Sequence, residues 1–186
     1  MKQVWKIDPE FRRLSVPLSP EEENRLENSL LREGCKEPIV VWHSCILDGH
    51  KRYEICNYEE MEYETVEMNF ATKDDALLWV CKNHLATVNP NSTVFRYLLG
   101  KRYVLEREMY KKNPEKIHIN YVKKVARVGA VCGTLAEETS MNPGTVRKYG
   151  TLALQLDRIA EKDMAMFEAI LAEKIPLTYE KVAKYS

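Results

Sequence analysis

Pro38-Ile39-Val40-Val41-Trp42-His43-Ser44-Cys45-Ile46-Leu47-Asp48-Gly49-His50-Lys51-Arg52-Tyr53 is the stretch that decides how this chain folds. Residues 38–42 are β-branched and apolar, and 45–47 are apolar again, with only His43-Ser44 between them. That spacing predicts a hairpin of two buried strands. The second strand then runs into Asp48-Gly49, where glycine permits a sharp turn, and on to the adjacent cations Lys51 and Arg52. A strand that delivers a tight turn, backbone N–H groups and positive charge to a helix start can hold an anionic group such as a phosphate.

On the N-terminal side, Ser19 reads as a helix cap, Pro20 suits the first helical position, Glu21 to Glu23 fill the first turn, and Gly34 ends the helix. On the C-terminal side, Tyr53, Ile55 and Cys56 suggest a helix starting near Arg52 and ending between residues 57 and 60. Residues 64–70 alternate as a strand with one polar face, and residues 74–83 return to helix. The order helix, strand, strand, helix, strand, helix predicts a small α+β domain over residues 1–88.

Asn89-Pro90-Asn91-Ser92 breaks the chain, after which residues 94–110 are strongly helical, 111–116 read as a polar loop, and short helices follow to the C-terminus. Residues 89–186 are thus expected to be all-helical, without repeats. Within them, residues 134–149 have the pattern of a helix-turn-helix. Small Ala136 lets two helices approach, residues 140–142 turn, Asn142 caps, Pro143 starts the second helix, and Val146 packs inward. Thr145, Arg147 and Lys148 are expected to face outward, where a helix N-terminal end can reach a major groove.

The balance of 28 Lys and Arg against 28 Asp and Glu conceals a basic middle. Residues 1–100 carry 12 cations and 17 anions, residues 101–150 carry 11 and 5, and residues 151–186 carry 5 and 6. Such a concentration suits contact with nucleic-acid phosphates, which Lys101, Arg102, Lys123, Lys124 and Arg127 are expected to supplement. The five cysteines are odd in number and never form a C-x-x-C pair, and the four histidines lack ligand spacing, so neither a disulfide framework nor a metal site is expected. The opening residues lack the apolar core of a signal peptide and no stretch is long enough to span a bilayer, which points to the cytoplasm and away from membranes.

The order of residues 18–34, 38–41 and 46–54, with a strand followed by Asp48-Gly49-His50-Lys51-Arg52, resembles the N-terminal domain of the ParB/sulfiredoxin superfamily. The helical second half resembles the helix-turn-helix module of ParB proteins. That resemblance implies a DNA-binding protein of plasmid or chromosome partition, or of mobile-element regulation, with a pocket for the phosphates of CTP or another nucleotide. Duplex DNA, a nucleotide and a second copy of the chain are the partners it implies. Carried onto this chain, Asp48, Gly49, His50, Lys51 and Arg52 would line the pocket, with Lys82 and Asn83 from a second motif. The superfamily places a glutamate where Lys82 stands, and an ammonium cannot ligate a cation, so a role for Mg²⁺ is not implied.

Two enzyme branches share this turn. Sulfiredoxins place a catalytic cysteine where His50 stands, so sulfinic acid reduction is not expected. The free-serine kinase branch has an Asp-Gly-His-His-Arg turn that matches save for Lys51. In it Asp48 or His50 would serve as base or phosphate ligand, with Glu21, Glu22 or Glu23 a further base. Weak nucleotide triphosphatase or kinase-like phosphotransfer is then the reaction class implied. A third alternative is that Arg52 pairs with a carboxylate such as Glu54 or Glu21 and the domain is a ligand-free scaffold.

Overall fold

A computed structural model describes residues 3–112, 128–178, 182 and 185. The chain divides into two compact units, residues 1–80 and 81–186. The division falls between Val80 and Cys81.

The first unit begins with α1 (Pro9–Arg13), α2 (Pro20–Glu33), β1 (Cys35–Trp42), β2 (Cys45–Asp48), α3 (His50–Tyr58) and β3 (Tyr63–Glu67), and leads into α4 (Lys73–Leu85). The sheet is three-stranded in the order β2-β1-β3. β1 and β2 form the antiparallel hairpin that residues 38–47 predict, and β3 lies parallel to β1 after the α3 crossover. His43 (φ 45) and Ser44 (φ 65) both adopt left-handed backbone, the twist a two-residue hairpin requires. Ile39, Val41, Ile46 and Tyr53 form the buried cluster beneath the hairpin, with Trp5 and Tyr63 packed against it.

α2 has both halves of a capping box. The Ser19 hydroxyl accepts from the Glu22 N–H at 3.2 Å, and the Glu22 carboxylate accepts from the Ser19 N–H at 2.8 Å. α1 is an element the sequence pattern did not suggest. Asp8 caps it by accepting from the Glu10 N–H at 2.9 Å and also takes the Lys73 ammonium at 2.7 Å. Burial raises the Asp8 pKa, but these bonds outweigh it and hold the carboxyl below its ordinary value. β3 departs from the one-sided alternation expected of it. Glu64, Thr65, Val66 and Glu67 are all exposed, so neither face of this edge strand is covered, whereas Ile46 and Leu47 on the other edge strand, β2, are buried.

After α4 the elements among the described residues of the second unit are all helices: α5 (Thr93–Lys112), α6 (Val128–Glu138), α7 (Pro143–Lys162) and α8 (Met164–Leu171). α5 runs through Lys111 and Lys112, which the sequence pattern assigned to a loop. α7 has 20 residues, where short helices were expected. Its length follows from an unbroken inward stripe, Val146, Gly150, Ala153, Asp157 and Ala160, all buried.

α5 and α7 approach at two glycines. A Cβ on Gly100 would lie 2.0 Å from the Tyr149 carbonyl oxygen, and one on Gly150 would lie 2.5 Å from the Tyr103 ring. Next to this contact Asp157 accepts from the Tyr97 hydroxyl at 2.7 Å and from the Lys101 ammonium at 2.5 Å. Among the described residues no helix is long and apolar enough to cross a membrane.

Helix propensity alone would make Gly100→Ala stabilising by about 1 kcal/mol, but the rigid Tyr149 carbonyl leaves no room for the methyl group. We expect a net loss of about 2 kcal/mol or more in thermal or denaturant unfolding. Gly133, within α6, has nothing within 4 Å of an added Cβ, so Gly133→Ala should gain up to about 1 kcal/mol in the same assay.

Candidate functional site

The turn between β2 and α3 is built around Gly49, whose backbone is left-handed at φ 88. Gly49 is the N-cap of α3 and supplies no side-chain bond to the first-turn N–H groups. The arginine one turn on fills the space a side chain would take. An added Cβ would meet Arg52 Nη2 at 3.2 Å and Nε at 3.4 Å. The guanidinium thus packs against the glycine, with its Nε buried and without a hydrogen-bond partner. Arg52 Nη1 donates to Glu37 Oε2 at 2.8 Å and Nη2 to the Pro38 carbonyl at 3.3 Å, while Asp48 Oδ2 lies 3.6 Å from Nη2. Its partners are therefore on β1 and β2, not Glu21 or Glu54.

Lys51 is equally engaged. Its ammonium donates to Glu23 Oε1 at 2.5 Å and lies 3.4 Å from Glu54 Oε2, and Glu54 in turn pairs with Arg12. Burial works to lower the Lys51 pKa, but the Glu23 bond and the charge of Glu54 more than offset it and raise the value above the ordinary. Glu23, one of three carboxylates considered as a base, is thus tied to an ammonium. His50 is buried, and its Nδ1 lies 3.0 Å from the Ser15 hydroxyl. Ser15 was not singled out from the sequence, since nothing in its neighbourhood marks it and only the fold brings it to the turn.

Lys82 and Asn83 belong to the second unit and are exposed on α4. The Lys82 ammonium lies 3.5 Å from Glu106 Oε1. Glu106 also accepts from Arg102 Nε at 2.8 Å, and Arg102 Nη2 lies 2.6 Å from Glu138 at the end of α6. Neither Lys101 nor Arg102 is the surface cation expected for phosphate contact. Lys101 is buried against Asp157, and Arg102 joins the carboxylates of α5 and α6. Burial pulls the Arg102 pKa down, but Glu106 and Glu138 outweigh it and the net shift is upward.

The second constellation is the pair α6 and α7, with Thr139 to Asn142 between them. Leu135, Ala136 and Val146 are buried in one cluster with Phe95, Leu99, Tyr103, Val131 and Cys132. The Met141 N–H donates to the Ala136 carbonyl at 2.8 Å, and Ser140 takes left-handed backbone at φ 54 to reverse the chain. Asn142 Oδ1 accepts from the Gly144 N–H at 2.7 Å, which caps α7 as its side chain predicts. Arg147 and Lys148 are exposed and Thr145 is half-buried. Arg147 lines a cleft of about 320 Å³ with Gly133, Glu137 and Met141. Lys123, Lys124 and Arg127 lie outside the described residues.

All five cysteines are free thiols. Cys56, Cys81 and Cys132 are buried, and burial pushes the Cys81 pKa to about 12, so that thiol is not a nucleophile near neutral pH. Among the described residues no group of three or more His, Cys, Asp or Glu is placed to hold a metal ion. No protein-family model, curated protein or solved structure matches this chain.

Gly49→Ala tests the turn. The methyl group meets left-handed backbone, which costs about 1–2 kcal/mol, while the Arg52 guanidinium at 3.2 Å gives way by only a small shift. Unfolding in denaturant should show that loss.

Proposed function

We propose that this chain is a DNA-binding protein of the ParB-like kind, whose second unit contacts duplex DNA and whose first unit offers a phosphate site at the β2–α3 turn. The observation that carries the DNA reading is the α6–α7 pair. It has the small residue, left-handed turn, capped second helix and inward Val146 of a helix-turn-helix, with Arg147 and Lys148 turned to solvent. Partition or mobile-element regulation is the biological role that goes with this reading.

The phosphate reading rests on the uncapped first turn of α3 and on the Arg52 fork beside it. A nucleotide phosphate such as that of CTP fits if it replaces the carboxylate now on Arg52. That exchange is inexpensive, because the Glu37 side chain is 77% exposed and such an ion pair contributes about 0–1 kcal/mol. The nucleotide would supply the phosphate charge, while Arg52 binds and orients it and Lys51 adds positive charge. One observation favours the scaffold alternative: both cations already have protein carboxylates as partners. The Glu23 carboxylate is already engaged by the Lys51 ammonium, which disfavours the kinase alternative that would use it as a further base.

Fluorescence anisotropy on mixed-sequence duplex at low salt tests the DNA reading. Binding should weaken linearly in log salt, and R147A/K148A should reduce affinity by about tenfold or more and lower the salt slope by about two. Affinity that ignores salt, or a double variant that binds like the wild type, would sink it. Titration with labelled CTP, ATP and ADP tests the pocket separately. CTP affinity should fall at least tenfold in Arg52→Ala and rise in Glu37→Gln, while no binding by any nucleotide would leave the scaffold.

A further inference from the structure

The first unit leaves its sheet open at β3. That strand has β1 on one side only, and among the described residues no strand pairs with its other side, so alternate residues of Tyr63–Glu67 direct their N–H and C=O groups away from the sheet. Thr65 and Glu67 lie opposite Ile39 and Val41 in register and share their face, yet Ile39 and Val41 are wholly buried while Thr65 and Glu67 are exposed. The cover ends at Trp5 and Tyr63, which pack on the margin of the buried cluster. A cavity of about 350 Å³ opens there, lined by Gln3, Trp5, Glu62, Tyr63 and Thr65. Tyr53 supports both aromatic walls from behind. Its hydroxyl accepts from the Trp5 N–H at 3.1 Å, and its ring meets the Tyr63 ring edge-on at 5.8 Å. The next residue, Lys6, is tied to the hairpin by bonds of 2.8 Å to the Ser44 carbonyl and 2.9 Å from the Ile46 N–H, which fixes the backbone at Trp5.

We infer that β3 is a docking edge for an extended, arginine-rich segment of a partner protein, which adds to the sheet as a further strand and seats one guanidinium in the cavity beside Trp5 and Tyr63. Charge selects this occupant. From Asn57 to Thr72 the chain has five glutamates and no lysine, arginine or histidine. Glu62, Glu64 and Glu67 are exposed, and among the described residues no cation pairs with them. Strand addition gives affinity through the backbone, and the cavity adds selectivity for one side chain. Arginine suits it better than lysine, because a planar guanidinium stacks on the aromatic walls and offers a fork to the Glu62 carboxylate. Two copies of β3 side by side would set carboxylates against carboxylates, so the charge that draws a cationic strand also keeps the edge from pairing with itself. The same charge repels nucleic acid, and the inference stands apart from the DNA and phosphate readings.

The experiment is fluorescence anisotropy of the full chain with a short labelled peptide of alternating arginine and valine. Two further peptides accompany it, one with lysine for arginine and one N-methylated at alternate backbone nitrogens so that it cannot donate to a strand. Circular dichroism checks that each protein variant folds. The arginine peptide should bind, and E64K/E67K, at two surface positions, should weaken it by about tenfold or more. Trp5→Leu should weaken the arginine peptide by about two- to fivefold and narrow its advantage over the lysine peptide. The N-methylated peptide should not bind. Equal binding of the N-methylated peptide would overturn strand addition, since charge alone would then suffice. An unchanged affinity in E64K/E67K would overturn the choice of edge, and an unchanged affinity in Trp5→Leu would overturn the seat for the guanidinium. No binding by wild type would overturn the inference outright. Self-association of wild type that Val66→Arg abolishes, with no peptide bound, would assign the edge to a second copy of the chain instead.

Discussion

The contact of Gly100 with the Tyr149 carbonyl is the constraint on which the second unit depends. Any side chain on Gly100 would force α5 and α7 apart, because the obstacle is backbone and cannot rotate away. At that separation the Tyr103 ring lies against Gly150 and the small Ala153 is wholly buried. The same closeness brings Tyr97 and Lys101 of α5 to Asp157 of α7, which could not otherwise be buried without leaving its charge unpaired.

That ion pair also fixes the rotation of α7. Turning the helix by one residue would put Arg158 in the place of Asp157, an arginine against the buried Lys101 ammonium. The like charges, desolvated together, would cost several kcal/mol. Slipping it the other way would bring Leu156 to Lys101 and leave the ammonium without a carboxylate. A purely apolar seam would tolerate such slips far better. The buried pair is weak evidence for stability, but here it has a clear consequence for register, and register decides which residues face out. Arg147, Thr151 and Arg158 are outward because Asp157 is inward.

The sequence was most legible where chemistry is local. Ser19-Pro20 and Asn142-Pro143 mark helix starts by cap and proline, and both helices begin there. Asp8-Pro9-Glu10 has the same signature, but the five residues of α1 are too few to show an apolar period, so the signal lacked its usual company. The hairpin was legible from two apolar runs, although His43-Ser44 lacks the glycine or asparagine that its left-handed turn prefers. What the sequence could not show was pairing across distance. Lys101 and Arg102 look like surface cations, and Arg52 looks like a free fork, until the fold supplies Asp157, Glu138 and Glu37. Val66 shows the converse, an apolar residue left exposed because no described element covers its face of β3.

The two candidate sites differ in how their cations are held, and that difference bears on what each can do. Lys51 and Arg52 are close to carboxylates from α2, β1 and their own helix, so an incoming anion must first exchange with groups already present. Exchange favours a ligand that offers several oxygens at once, since a bidentate phosphate can replace Glu37 on the guanidinium and reach the α3 N–H groups together. A single carboxylate or chloride gains little by the same move. Between Arg147 and Arg158 the face of α7 has no exposed carboxylate to exchange, so under the proposed DNA reading each phosphate neutralised would add affinity directly. On the proposed reading the turn at Gly49 would discriminate among anions, and α7 would accumulate contacts along one long polyanion.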